Sequence, residues 1–250
     1  MDITTPHYLL NSTVNLIAGN APTKDDDRRV ISAAQLALID EEFREFLAAW
    51  AARDRRGIRD GLADMIVTLD GWFYRMGFSA QEVETALNTE QWVDDYIEKC
   101  DIGKSDYSLV GLLCMTVHHA LTNERDTDDY GDPLDPLTIS SEISGMSLIV
   151  ESLCVVLEVD LAADQWEVYC SNMSKFDTSE EDAAFTRAKY AQLDVVTQTI
   201  KQVVPASSED GEPRTYWVTK STHDQTGRDG KQYPRGKFLK SVRFREPVFR

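Results

Sequence analysis

Apolar residues recur along the first third of the chain at the three-to-four spacing of a helix, not the alternation of a strand. Ile39, Phe43, Phe46, Leu47 and Trp50 form one stripe. Ile58, Leu62, Met65, Ile66, Leu69, Phe73 and Met76 form a second. At about 100° per residue each stripe covers one helix face, and the spacing predicts helices over 30–53 and 57–76. The polar stretch Arg53, Asp54, Arg55, Arg56, Gly57 reads as a tight turn, which makes the two helices antiparallel neighbours. Gly77 supplies a stop. Ser79, with Glu82 three residues on, is a capping box that opens a third helix running toward Ile97.

The pattern breaks at 101–106 and then resumes. Apolar helices are expected at 109–121 and 143–157, joined by an acidic loop that carries Gly131 and two prolines. Val159 to Trp166 parallels Met76 to Val83, so the second half echoes the first. That offset sets Asp60 and Asp64 opposite Ile143 and Ser147. A further helix is expected at 178–195. Tyr216 to Thr219 and Lys237 to Phe244 alternate and are rich in aromatic and β-branched residues, with Gly227, Gly230, Pro234 and Gly236 between them. This predicts a β-hairpin appendage. The expected fold is therefore an all-α bundle over 1–205, with a basic β-rich tail over 206–250. Within the bundle, 20–105 is one half and 106–205 a degenerate copy, a pseudo-dimer in one chain.

Two acidic clusters interrupt the helical pattern. Glu41-Glu42-x-x-Glu45 lies on the first long helix and Asp60-x-x-x-Asp64 on the second. Asp60 and Asp64 fall about 40° apart on the side opposite the apolar stripe. Ala63, Val67 and Gly71 share that side, so it is not a solvated one. Glu42 borders the apolar stripe of its helix, with Glu45 and Glu41 further round. As plain surface charge, like pairs at this spacing cost a helix only about 0.2–0.5 kcal/mol each. Placement therefore carries the argument. Carboxylates gathered across an apolar helix seam repel one another unless a cation sits between them, and oxygen-rich sets of this kind suit Mg²⁺.

Composition narrows the rest. The chain has 250 residues and 42% hydrophobic content, which suits a folded globular protein. No run of 18 apolar residues predicts a membrane span, and the start of the chain lacks the basic and apolar regions of a secretory signal. Cys100, Cys114, Cys154 and Cys170 are scattered without a C-x-x-C pair, which points to reduced thiols and a cytoplasmic setting. Adjacent His118 and His119 cannot share a helix face. The net charge is −17 but uneven: from Pro213 on, ten basic residues face three acidic ones, and the preceding residues carry −24. A body this acidic repels nucleic acid and anionic membranes alike.

Leu36-Ala37-Leu38-Ile39-Asp40-Glu41-Glu42-Phe43-Arg44-Glu45-Phe46 resembles the first metal-binding helix of the all-α nucleoside triphosphate pyrophosphohydrolases, the MazG-like superfamily. The signature of that family is E-E-x-x-E, a spacer, then E-x-x-D. Asp60-Gly61-Leu62-Ala63-Asp64 is similar to the second helix in the D-x-L-A-D variant of HisE-like members, many of them from bacteriophages. The glutamate of E-x-x-D falls on Gly61, and Asp60 takes its place one residue away. Ser171-Asn172-Met173-Ser174-Lys175 resembles the family's S-N-M-S-K helix end. Asp229-Gly230-Lys231 with Gly236-Lys237-Phe238-Leu239-Lys240 resembles its terminal stretch.

The resemblance implies a MazG-like bundle that hydrolyses a (deoxy)nucleoside triphosphate to its monophosphate and pyrophosphate, with Mg²⁺ or Mn²⁺ as cofactor. It implies Glu42, Glu45, Asp60 and Asp64 as metal ligands, with Glu41 as a further ligand or water-orienting base beside Glu42 and Glu45 in catalysis. Asn172, Lys175, Lys237 and Lys240 would meet the nucleotide. Trp72, Tyr74 and Trp92 are candidates to stack on a base, though their helical spacing is that of core. A homodimer is a further expectation. Two other readings remain: a non-enzymatic acidic mimic of the DNA backbone, and hydrolysis of phosphoribosyl-ATP.

Overall fold

The computed structural model describes residues 5–89, 105–123, 136–205 and 212–249. It is mostly helical, with a small two-stranded hairpin. In chain order come α1 (Thr5–Ala18), α2 (Arg28–Ala52), α3 (Arg55–Met76), α4 (Ala80–Thr89) and α5 (Asp106–Asn123). A 3₁₀ turn (Pro136–Ile139) leads into α6 (Ser140–Val156), then α7 (Leu161–Met173) and α8 (Glu180–Ala191). The strands are β1 (Thr197–Val204), β2 (Arg214–Ser221), β3 (Gln225–Thr226) and β4 (Gln232–Tyr233). No described helix is long and apolar enough to cross a membrane. The far end of the third predicted helix, the acidic loop after α5, Trp92, Cys100 and most of the 206–213 turn lie outside the described residues.

The chain divides into two compact units, one from the described residues within 1–12 and 21–166 with Phe249, the other from 13–20 and 167–248. In the first unit α2 and α3 form a close antiparallel pair. Asp27 caps α2 through the amides of Arg29 and Val30. The helix ends on Arg53 in the left-handed region (φ 54°), and Asp54 then caps α3 through the Arg56 amide at 3.1 Å. This is the tight polar turn the sequence predicts. Gly61 lets the helices close: a Cβ there would stand 2.9 Å from Phe46 Cα. Gly77 (φ 88°) stops α3. The Glu82 carboxylate accepts from the Ser79 amide at 2.7 Å, and the Ser79 hydroxyl accepts from the Glu82 amide at 3.3 Å. The capping box is as expected.

Leu36, Ile39, Phe46, Leu62, Met65, Leu69, Trp72 and Phe73 are buried with Leu109, Leu113, Ile143, Met146, Ile149 and Leu153 in one core. Helix α6 packs against α3, α4 and α5. The end of α5 meets the start of α6 where Asn123 donates to Glu142 at 3.0 Å. Helices α3 and α6 end alike. Gly77 and Glu158 (φ 55°) are both left-handed. Phe78 N donates to Phe73 O at 3.0 Å as Val159 N donates to Cys154 O at 2.8 Å. These two ends lie 81 residues apart, a spacing that carries α3 onto the 3₁₀ turn and α6 together.

In the second unit, α8 opens on Ser179, whose hydroxyl accepts from the Asp182 amide at 3.1 Å. β1 and β2 form an antiparallel hairpin, from Thr197 opposite Ser221 to Val204 opposite Arg214. The strand at Tyr216–Thr219 therefore pairs with a segment to which no strand was assigned. Lys237 to Phe244 touches it through one bridge, between Lys220 and Phe238. Strand pairing is non-local and the pattern within a strand does not name its partner. Asp177 is the buried polar centre of this unit, accepting from the hydroxyls of Thr186 and Ser241. Ile17, Phe176, Tyr216 and Val218 form one small core, and Tyr190, Val195, Tyr233 and Leu239 another.

Candidate metal centre

Helix α2 turns Ile39, Phe43 and Phe46 inward, which leaves Glu42 half-buried beside them and Glu41 and Glu45 exposed. Across the seam, α3 presents Asp60 and Asp64, both half-buried, while Gly61, Ala63 and Gly71 are buried as small-residue spacers. The five acids share one electrostatic neighbourhood. Burial, followed by the charges of Asp64, Glu45, Glu41 and Asp60, pushes the Glu42 carboxyl up to about 8. Among the described residues, the charged groups that raise it are all acidic. A carboxylate crowded in this way gains from a proton or from a cation. Among the described residues, no three His, Cys, Asp or Glu side chains are already drawn together as a set that could hold an ion. The arrangement is a crowd of acids on one helix pair rather than a closed cage.

Gly61 lies at the closest approach of the two helices. It faces the Phe46 backbone inside the seam, where no side chain fits. The neighbouring Asp60 is half-buried. The start of α7 braces this stretch of α3 at two points one turn apart. Arg59 makes a two-pronged ion pair with Asp164, whose side chain is 2% exposed. The Gln165 amide donates to the Ala63 carbonyl at 2.7 Å.

The residues assigned to the nucleotide lie in the second unit. Lys175 Nζ donates to Asn172 Oδ1 at 2.5 Å, and its charge stands 5.9 Å from the Phe238 ring centre. Ser171 donates to the Arg245 carbonyl at 2.9 Å, and the Ser241 amide donates to the Lys175 carbonyl at 3.1 Å. The two segments singled out in the sequence are thus packed on each other. Lys240 pairs with Glu246 at 3.3 Å and lies 3.9 Å from the Phe244 ring centre. Lys237 is exposed. Trp72 is fully buried, donating to Ser32 at 3.2 Å, and Tyr74 packs against the same core. Both are structural.

The sequence reading missed two acids. Asp70 is buried on α3, accepts from Asn11 at 2.7 Å, and is pushed up to about 7 by burial, with the Glu151 charge adding to it. Burial also carries Glu151 of α6 to about 7. Asp70 sits between Leu69 and Gly71, so its place in an apolar stripe was the available signal. Its partner 59 positions away was not visible. No family model, curated protein or solved structure matches the chain.

Proposed function

We propose that the first unit carries the metal centre of a nucleoside triphosphate pyrophosphohydrolase, a MazG-like enzyme that yields a nucleoside monophosphate and pyrophosphate. The observation that carries this reading is the gathering of Glu41, Glu42, Glu45, Asp60 and Asp64 on the facing helices α2 and α3, where acid meets acid around Glu42. Mg²⁺ or Mn²⁺ at such a set supplies charge neutralisation of the triphosphate and acidification of a water. Glu42, Glu45, Asp60 and Asp64 are the assigned ligands. Glu42 must give up its proton to act as one, and the charges of the four acids around it oppose that while a bound cation favours it. Glu41, exposed on the preceding position, is the assigned water-orienting base, accepting a hydrogen bond from the attacking water. Lys175 offers a point charge to phosphate oxygens, with Asn172 holding its ammonium.

The experiment is a panel of ribo- and deoxyribonucleoside triphosphates with phosphoribosyl-ATP, each given Mg²⁺ and assayed for pyrophosphate. At least one nucleoside triphosphate should release pyrophosphate and monophosphate one to one. Glu45→Gln and Asp64→Asn should each lower kcat at least 100-fold. Lys175→Ala should act mainly on KM. Turnover of phosphoribosyl-ATP alone would reassign the substrate. No turnover of any compound, with metal-independent binding to a DNA-binding protein, would replace the enzyme by the acidic mimic.

A further inference from the structure

The turn between α2 and α3 forms one wall of a cavity of about 500 Å³ in the first unit. This size lies within the range of small-molecule sites. Two aromatic rings line it: Trp50 of α2 and Tyr107 of α5 meet edge to face, with centroids 5.7 Å apart at 81°. Ile58 and Leu157 add apolar lining. Among the described residues, its charged lining is Arg53 and Arg55, with Asp106 at the start of α5. Neither arginine makes an ion pair among the described residues. Asp54, which stands between them, spends a carboxylate oxygen on the α3 cap. Asp106 accepts from the Tyr107 amide at 2.9 Å. Two uncommitted guanidiniums are unexpected in a chain of net charge −17.

This cavity is separate from the acidic cluster. Trp50 follows Glu45 by five residues, so the two project about 140° apart around α2.

We infer that the cavity is a second ligand site, and that it takes a nucleoside monophosphate. A planar base can stack on one of the two perpendicular rings and meet the other edge-on, and stacking is worth about 1–3 kcal/mol per base. A phosphate matches the two-pronged geometry of the guanidiniums. Asp106 repels an anion, which orients the phosphate toward the arginine side. The apolar lining formed by Ile58 and Leu157 favours an aromatic ligand over a bare anion.

The inference does not rest on the proposed metal centre, and its test excludes metal. The whole chain is titrated by calorimetry, in EDTA at low salt, with the 5′-monophosphates of adenosine, guanosine, cytidine and uridine. At least one should bind with one-to-one stoichiometry, and the matching nucleoside and inorganic phosphate should each bind at least tenfold more weakly. Arg55→Ala and Arg53→Gly should each weaken binding at least fivefold, because glycine keeps the left-handed backbone of Arg53 (φ 54°) while removing its charge. Tyr107→Ala should do the same with the melting temperature unchanged, since that ring is 69% exposed. Absence of binding by all four nucleotides would overturn the inference. So would phosphate binding as tightly as the nucleotide, or affinity unmoved in the double arginine variant while the fold is intact by circular dichroism.

Discussion

Asp70→Asn tests the buried electrostatics of the first unit. The wild-type carboxyl is pushed from 3.8 to about 7, first by burial and then by the charge of Glu151, with the Asn11 hydrogen bond opposing them. An acid whose pKa is raised on folding keeps its proton in the native state while the unfolded chain loses it. Stability therefore falls as pH rises from about 4, and the full penalty is present above about 7. Three pKa units correspond to about 4 kcal/mol. Asparagine removes the titration, and its carbonyl can still accept from Asn11. At pH 4 the variant and wild type should differ by less than about 1 kcal/mol, the value of a neutral hydrogen bond. At pH 8 the variant should be the more stable by up to about 4 kcal/mol. Urea unfolding followed by tryptophan fluorescence and circular dichroism reads both values. Glu151 contributes to the slope in both proteins, so the difference between them isolates Asp70. An equal difference at the two pH values would show that Asp70 is ionised in the fold, and the burial argument would fail.

Two further substitutions probe the helix seam that places the acids. Arg59→Leu leaves the Asp164 carboxylate buried and unpaired, which should cost about 3–5 kcal/mol, and adding Asp164→Leu should recover most of it in urea unfolding. Gly61→Ala forces a methyl to within 2.9 Å of Phe46 Cα, an overpacking cost of about 1–3 kcal/mol. A melting temperature unchanged by that substitution would mean that α2 and α3 are not as close as described.

Local signals were legible in the sequence, and the contacts between distant segments were not. The stripe of Ile39, Phe43, Phe46 and Trp50, the stop at Gly77 and the Ser79–Glu82 box each depend on neighbours within one or two turns, and the structure has them all. The packed side of α3 was legible for the same reason: Ala63 and Gly71 beside acids cannot line a solvated face, and both are buried. Arg59 and Asp164 meet across 105 positions and Asn11 and Asp70 across 59. Nothing in either local pattern names the partner. Tyr216 to Thr219 reads as a strand and is one, yet its pairing with β1 rather than with the later tail is set by turn geometry and packing, which the hydrophobic pattern does not encode.

The central claim is that the acids of α2 and α3 hold divalent cations. Electron paramagnetic resonance of Mn²⁺ added to the protein at pH 8 tests it without substrate. The account predicts at least one bound ion per chain at sub-millimolar Mn²⁺, displaced by Mg²⁺, and at least tenfold weaker binding in a folded Glu42→Gln, Asp64→Asn variant. A wild-type spectrum of free Mn²⁺ only, or equal binding by that variant, would contradict it.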